Sequence, residues 1–490
     1  MTEAVAMAPS QSTDQVGYWT KVFYGFGSVA YGVKENGFSY FILLFYGTVM
    51  GVDPGLVGLA IFVALILDAF SDPIVGYLSD NWRSAWGRRH PFMYGAAVPV
   101  AISYFLIWNP PEGWSDTGLL VYMFVLAVVI RTFITFYETP SSALLPELTQ
   151  DYDKRTTLQA YRLFFGWVGG NAMSVLMFGL ILVPTAAYPI GILNKDGYAL
   201  YGLISSALIF AAIMISAIGT HRHIPHLQQP PPKRQMSVGT IFKEIFETLS
   251  ERSFLALFVA TLFGSIAAGA SAAFAFTVLR YFWEFTEGQL FIWTSLVFVS
   301  ALGGLLIAPR LALKLGKKRA VLILGVIAFT VAPAPVILRL FDLMPANGDP
   351  ILFPIMLAVN TIDLALVIAL QSILFSMIAD LVEESELKTG RRSEGLFYAA
   401  VTFTRKCNQG LGLFAAGVAL SLIGFPEGAT PGEVESGVIW SMGLSYAAIV
   451  LTLYGLMLVC VGFYSIDRDS HNDNLRKLAE RNTTTKEGTL

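Results

Sequence analysis

Apolar runs long enough to cross a lipid bilayer recur twelve times along this chain, near 20–48, 55–79, 92–109, 117–140, 158–184, 198–219, 254–282, 289–309, 320–340, 351–379, 394–424 and 436–465. A helix needs about 20 such residues to cross roughly 30 Å of hydrocarbon. Only helices and closed barrels satisfy every backbone hydrogen bond there. The sequence therefore predicts an all-α polytopic membrane protein. Composition agrees, with 55% of the 490 residues hydrophobic and 14% charged, where soluble domains carry about a quarter charged.

Basic residues fall in alternate loops. Arg83, Arg88 and Arg89 lie in the loop at 80–91, and Lys154 and Arg155 in the loop at 141–157. The connections at 220–253, 310–319 and 380–393 are basic too, and Lys195, Arg280 and Arg339 are the exceptions in the intervening loops. An excess of Lys and Arg marks the cytoplasmic side, so both termini are expected in the cytoplasm. The first 19 residues are polar and lack a basic start followed by an apolar core, so no cleaved signal peptide is expected. Cys407 and Cys460 fall inside predicted spans, where they read as small buried apolar residues and not as a disulfide framework.

Two halves are predicted. Residues 1–219 hold six spans, 220–253 form a proline-containing cytoplasmic linker with a short amphipathic helix at 240–250, 254–466 hold six more spans, and 467–490 form a cytoplasmic tail. The stretch "PELTQDYDKRT" at 146–156 aligns without gaps to "ADLVEESELKT" at 379–389, and both follow the fourth span of their half. Parallel repeats of this kind build the major facilitator fold, with the substrate site between the halves near the midplane.

Several spans carry charges that are costly in hydrocarbon, at least about 2.5–3.5 kcal/mol each. They are Lys34 and Glu35, Asp68 and Asp72, Arg131 and Glu138, Arg162, Asp363, and Arg405 and Lys406. Such charges concentrate on helices that line a polar cavity. Asp68 and Asp72 stand at i and i+4 and share a helix face. They repel unless a cation lies between them or one is protonated. Arg131, Thr135 and Glu138 share a face of the fourth span. Asp68, Asp72, Thr135 and backbone carbonyls could supply the oxygen ligands of a hard monovalent cation. The other reading is that Asp72 caps a helix or pairs with Arg131 and only staples helices together. Lys34 beside Glu35 reads as local charge balance or as part of the cavity.

At these residues a resemblance becomes specific. "YGFGS" at 24–28, "DAFSDPIVGYLSDNWRSAWGRRHPF" at 68–92, "YETPSSALLPELT" at 137–149 and "MIADLVEESELKTGRRSEGLFYA" at 377–399 are similar to the glycoside–pentoside–hexuronide:cation symporter family. The likeness runs over essentially the whole chain. It implies that Asp68 and Asp72 occupy the family's cation-binding aspartate positions and Thr135 its cation-site threonine. Ser71 stands where the family's sugar permease has an asparagine. Glu138 takes the place of a sugar-binding aspartate, Arg162 that of a substrate-site arginine, and Lys406 that of a functional lysine. Departures lie on the sugar side. Gly32 replaces a first-span aspartate, with Glu35 one turn on, Leu65 replaces a second-span arginine, and Ser142 replaces a sugar-stacking tryptophan. Arg131 and Asp363 are charges the permease lacks, and Arg131 is expected to balance charge near Asp68, Asp72 or Asp363.

The function expected is symport of Na⁺ or H⁺ with a glycoside or related sugar, an acidic one included, by alternating access. A lysophospholipid or other amphiphile is the alternative substrate. The cation would bind at Asp68, Ser71, Asp72 and Thr135. The substrate would bind through Glu138, Arg162, Glu35, Asp363, Lys406 and Ser142. Asp80 with Arg88 and Arg89 would hold helix ends in the outward-open state, and Asp380, Arg391 and Arg392 would do so in the second half; simple positive-inside anchoring is the other reading. No HExxH, GxSxG or GxxxxGK[ST] pattern is present and the five histidines read as loop or tail residues, which argues against an enzyme. No cofactor, resident metal or nucleic acid is expected, only the coupling ion, a small-molecule substrate and the bilayer. A monomer in the bacterial inner membrane is the expected form.

Overall fold

The computed structural model describes residues 16–149, 152–226, 252–389, 394–426 and 429–464, and every regular element among them is helical. The first passage joins α1 (Tyr18–Phe26) and α2 (Ser28–Asn36) to π turns at Gly37–Phe41 and Leu44–Val49. It is followed by α3 (Pro54–Asn81), α4 (His90–Ile107), α5 (Asp116–Leu148), α6 (Tyr152–Leu176) and α7 (Lys195–His221). The second half holds α8 (Arg252–Thr277), α9 (Glu287–Ser295), α10 (Val297–Leu315), α11 (Lys317–Val331), α12 (Ala334–Leu340), α13 (Leu352–Thr389), α14 (Glu394–Leu422) and α15 (Ser436–Gly462). Among the described residues, ten helical runs are long and apolar enough to cross a membrane. The first passage and α14 run beside them.

Local chemistry sets where these helices begin. The Asp53 carboxylate accepts from the Leu56 amide at 2.8 Å and Pro54 occupies the first helical position, so α3 starts capped where an N–H would have no partner. Ser115 and Asn194 cap α5 and α7 in the same way. Thr286 and Gln289 form a reciprocal capping box on α9. Gly316, at φ 78°, makes the sharp turn from α10 to α11 that a side chain would strain.

The helices pack as two bundles. Helix α3 lies against α14 across one seam, the first passage lies against α8 across another, and α9 meets α6 beside it. One apolar core runs through the first bundle and continues into Phe274, Tyr281, Trp283, Leu413 and Met442 of the second. A smaller core around Leu257, Leu324, Ile373 and Val461 fills the end of the second bundle nearer its basic connections. The halves thus share a core at the end away from the basic loops. Phe276 seals that region, with its ring 5.1 Å from Phe41 and 4.5 Å from Phe178 across the seam. Gly417 permits the close crossing of α14 over α3, because a Cβ there would collide with the Pro54 carbonyl.

Four expectations change. The loops placed at 141–157 and 380–393 are largely helix, since α5 runs to Leu148 and α13 to Thr389. Hydropathy marks where a helix leaves hydrocarbon, whereas the charged residues beyond are compatible with further helical turns in water. The histidines are not confined to loops: His90 opens α4 and His221 closes α7, both bonded across the helix ends to Thr220 and Tyr94. Cys460 is only half-buried. The 20–48 span is interrupted, because Gly27 parts α1 from α2 at a point where a Cβ would meet the Tyr137 hydroxyl. The amphipathic helix at 240–250 and the 467–490 tail lie outside the described residues.

Candidate functional site: paired aspartates at a buried seam

The seam between α3 and α5 carries the first cluster. Asp68, Ser71 and Asp72 project from α3, and Arg131 and Thr135 from α5. Asp68, Arg131 and Thr135 are each no more than 2% exposed. The Thr135 hydroxyl lies 2.9 Å from Asp68 Oδ1 and 3.0 Å from Asp72 Oδ1. A hydroxyl has one hydrogen to donate, so Thr135 can serve only one of these two oxygens at a time. A proton on one carboxyl group, or a monovalent cation among the oxygens, would serve both.

Arg131 approaches from the other side, with Nη1 3.7 Å from Asp68 Oδ2 and its guanidinium 4.8 Å from the centre of the Phe38 ring. Two carboxylates and one guanidinium leave a formal charge of −1, which matches one Na⁺ or one proton. Arg131 thus pairs with Asp68. Ser71 donates to the Asp68 carbonyl at 2.8 Å within its own helix. Its hydroxyl hydrogen is therefore committed, and only its lone pairs remain to serve a cation.

A second cluster lies between α5, α6 and α1. Arg162 donates to Ser142 Oγ at 2.8 Å and reaches the Tyr24 and Ser28 hydroxyls at 3.4 Å. Tyr24 in turn donates to the Ser141 carbonyl at 2.9 Å, fixing the ring against which the guanidinium rests. Glu138, one turn before Ser142, lies within electrostatic reach of Arg162. Lys34 and Glu35 form a third unit, an ion pair at 2.9 Å in which the lysine is 1% and the glutamate 21% exposed.

Asp363 stands elsewhere. It lines a cavity of about 360 Å³ walled chiefly by α8, α13 and α15, with Tyr40, Asn171 and Ser174 contributed by the first half. None of Asp68, Asp72, Thr135, Glu138, Ser142 or Arg162 lines it. The substrate residues expected in one cavity are thus distributed over three places. The side chains of Lys406, Asp80 and Asp380, and the segment holding Arg391 and Arg392, lie outside the described residues.

At the basic end, Arg88 Nη2 and Arg89 Nε both donate to Glu147 Oε1 at 2.6 Å, tying the start of α4 to the end of α5. The sequence pointed to Asp80 as their partner, a side chain outside the described residues, and did not single out Glu147, although "PELT" lies in one of the matching stretches. At the opposite end the two halves are bonded to each other. Ser421 donates to Asp53 Oδ2 at 2.6 Å, and Glu287 accepts from the Gly191 amide at 3.0 Å and faces Arg280 at 3.2 Å. Arg280 had stood out as a basic residue on the wrong side, the one available signal for this contact.

The family described as "MFS/sugar transport protein" matches residues 23–468. An uncharacterised symporter of Synechocystis sp. is 26% identical over 97% of this chain and 99% of its own. The isoprimeverose transporter of Lactiplantibacillus pentosus is 24% identical over 92% of this chain and 89% of its own. A sodium-dependent lysophosphatidylcholine symporter of Gallus gallus is 22% identical over 96% of this chain and 90% of its own. Among solved structures, a bacterial homologue of the human peptide transporters PepT1 and PepT2 superposes with a TM-score of 0.61 at 15% identity, covering 96% of this chain and 99% of that one. The fold is that of the major facilitator transporters.

Proposed function

Since the chain belongs to the MFS/sugar transport protein family, we propose that it is a secondary active symporter coupling Na⁺ or H⁺ influx to uptake of a glycoside or related sugar, an acidic one included. It is an integral membrane protein and a transporter, not an enzyme. The observation that carries the coupling is the single Thr135 hydroxyl between the Asp68 and Asp72 carboxylates, with Arg131 leaving the group one charge negative.

A cation arriving from outside completes this group and relieves the repulsion between α3's two carboxylates. Substrate binding and cation binding then favour one another by a coupling free energy, and the gradient of one drives the other. The halves rock about the α3–α14 seam and release both ligands on the side of the basic loops. Arg162, whose donors rest on exchangeable hydroxyls, is the group that would take an anionic substituent of the substrate away from its sugar ring. The inner membrane, with both termini cytoplasmic, is the setting this reading requires.

The test is uptake into proteoliposomes of labelled neutral glycosides, uronides and lysolipids under an imposed Na⁺ or pH gradient. Uptake of a glycoside stimulated about tenfold by one gradient is expected. Glycoside uptake indifferent to both gradients would end the symport reading. A second reading, transport of a lysophospholipid, is favoured by the likeness to the Gallus gallus symporter and by the apolar walls of the 360 Å³ cavity. Gradient-driven uptake of lysophosphatidylcholine without any glycoside would establish it.

A further inference from the structure

The Asp363 cavity is chemically unlike the other charged sites. Each acid around α3 and α5 has a cation or hydroxyl beside it, whereas Asp363 Oδ1 is buried and has no hydrogen-bond partner among the described residues. A buried polar atom in that condition is unfavourable until a donor reaches it. The cavity supplies the room, since its volume of about 360 Å³ lies at the small end of the 300–1,000 Å³ typical of ligand pockets. Its walls supply the shape: Trp293, Tyr446 and Tyr454 line it with aromatic rings, and Asn360, one turn from Asp363 on α13, adds an amide. Tyr446 and Tyr454 lie on one face of α15, two turns apart and within electrostatic reach of the Asp363 carboxyl. No lysine or arginine lines the cavity among the described residues.

Both a carboxylate that accepts from neighbouring hydroxyls and an aromatic surface for a ring's apolar face are what a pyranose or furanose requires. The permease-like tryptophan position beside Arg162 holds Ser142 here, and that serine is occupied with the guanidinium. The aromatic platform missing from the first half is present in the second. We propose that this cavity is the subsite for the hydroxyl-bearing ring of the substrate, with Asp363 as the acceptor of its hydroxyls and the Trp and Tyr rings as its platform. The inference rests on the reading of the chain as a glycoside symporter. It moves the sugar ring from the α5–α6 region to the second bundle, and leaves the cation to α3 and α5.

Purified protein in nanodiscs is titrated with 4-nitrophenyl glucoside, xyloside and glucuronide, and the tightest of the three serves as probe. Asp363→Asn should weaken probe binding at least tenfold, with Asp363→Glu in between. In proteoliposomes, residual probe exchange by Asp363→Asn should keep the wild-type ratio of stimulation by the coupling cation. A saturating concentration of the same probe should also slow modification of Asp363 by dicyclohexylcarbodiimide in the unmutated protein, read by peptide mass spectrometry; this arm decides the matter if the variants fail to fold. Wild-type affinity in Asp363→Asn with loss of gradient-driven accumulation would make Asp363 a coupling group and overturn the proposal. Unprotected modification of Asp363 would overturn it too. Failure of the unmutated protein to bind any of the three probes would remove the glycoside reading itself, and this subsite with it.

Discussion

Arg131 holds Asp68 across the α3–α5 seam, with Nη1 3.7 Å from Oδ2 and only 3% and 1% of the two side chains exposed. Thr135 takes the other oxygen of the same carboxylate at 2.9 Å. Asp68 is therefore braced at both of its carboxylate oxygens. The two aspartates share a helix face, and Asp68 is the one that the Arg131 guanidinium and the Thr135 hydroxyl approach from separate oxygens.

Asp72→Asn should abolish gradient-driven accumulation while leaving facilitated exchange of substrate. The amide removes one carboxylate charge without changing the volume. Exchange and concentrative uptake are compared in the same proteoliposomes, and full accumulation by the variant would remove the cation assignment.

Arg131→Leu should act on folding more than on specificity. It strands a carboxylate deep in the bundle, a change that costs about 3–5 kcal/mol in buried pairs. Detergent melting and membrane yield should fall sharply, and Asp68→Asn in the same chain should recover much of the loss. A single variant with wild-type melting would show that Asp68 is already neutral.

Thr135→Ala should raise the cation concentration needed for half-maximal stimulation about tenfold or more, since hydrogen bonds to charged groups contribute about 1.5–3 kcal/mol. Thr135→Ser keeps the hydroxyl and should stay within about threefold of wild type. Equal effects from both would point to the methyl group's packing instead.

Glu147→Gln should loosen the basic end of the first bundle, because Arg88 and Arg89 share a single oxygen of that carboxylate. Alkylation of a cysteine introduced near the start of α4 should speed up, with the substrate's half-saturation shifted and the cation requirement unchanged. An unaltered alkylation rate would leave the two arginines as simple membrane-side anchors.

Restoring an indole through Ser142→Trp gives a contrast with the Asp363 subsite. Residue 142 is exposed and already occupied by the Arg162 guanidinium, so the new ring displaces that contact. Competition by an acidic glycoside should weaken several-fold. The affinity for a neutral one should rise only if the ring sits beside Arg162.

The features legible in the sequence were those fixed by a solvent or by one helix. Lipid demands apolar runs, so the spans could be read off directly, and spacing of four placed Asp68 and Asp72 on one face. Helix ends were less visible: α5 and α13 run on to Leu148 and Thr389, past the point where hydropathy stops reporting. Glu147 was missed because its partners lie 58 and 59 residues away, and no local pattern singles it out. The cavity around Asp363 is walled by helices far apart in the chain, so its aromatic residues looked like ordinary span composition until the fold gathered them.

Asp53 uses its two oxygens for different purposes, one for the Leu56 amide at the head of its own helix and the other for Ser421 of the opposite half. Withdrawal of Ser421 would leave the helix start intact, with water taking the vacated oxygen. A hydrogen bond to a charged group contributes about 1.5–3 kcal/mol, of which water at the vacated carboxylate oxygen returns a part. The contact therefore behaves as a reversible fastening whose release does not unravel what it is sewn to. A carrier that must part and rejoin its halves at every turnover gains from that economy, because each cycle returns α3 to the same register.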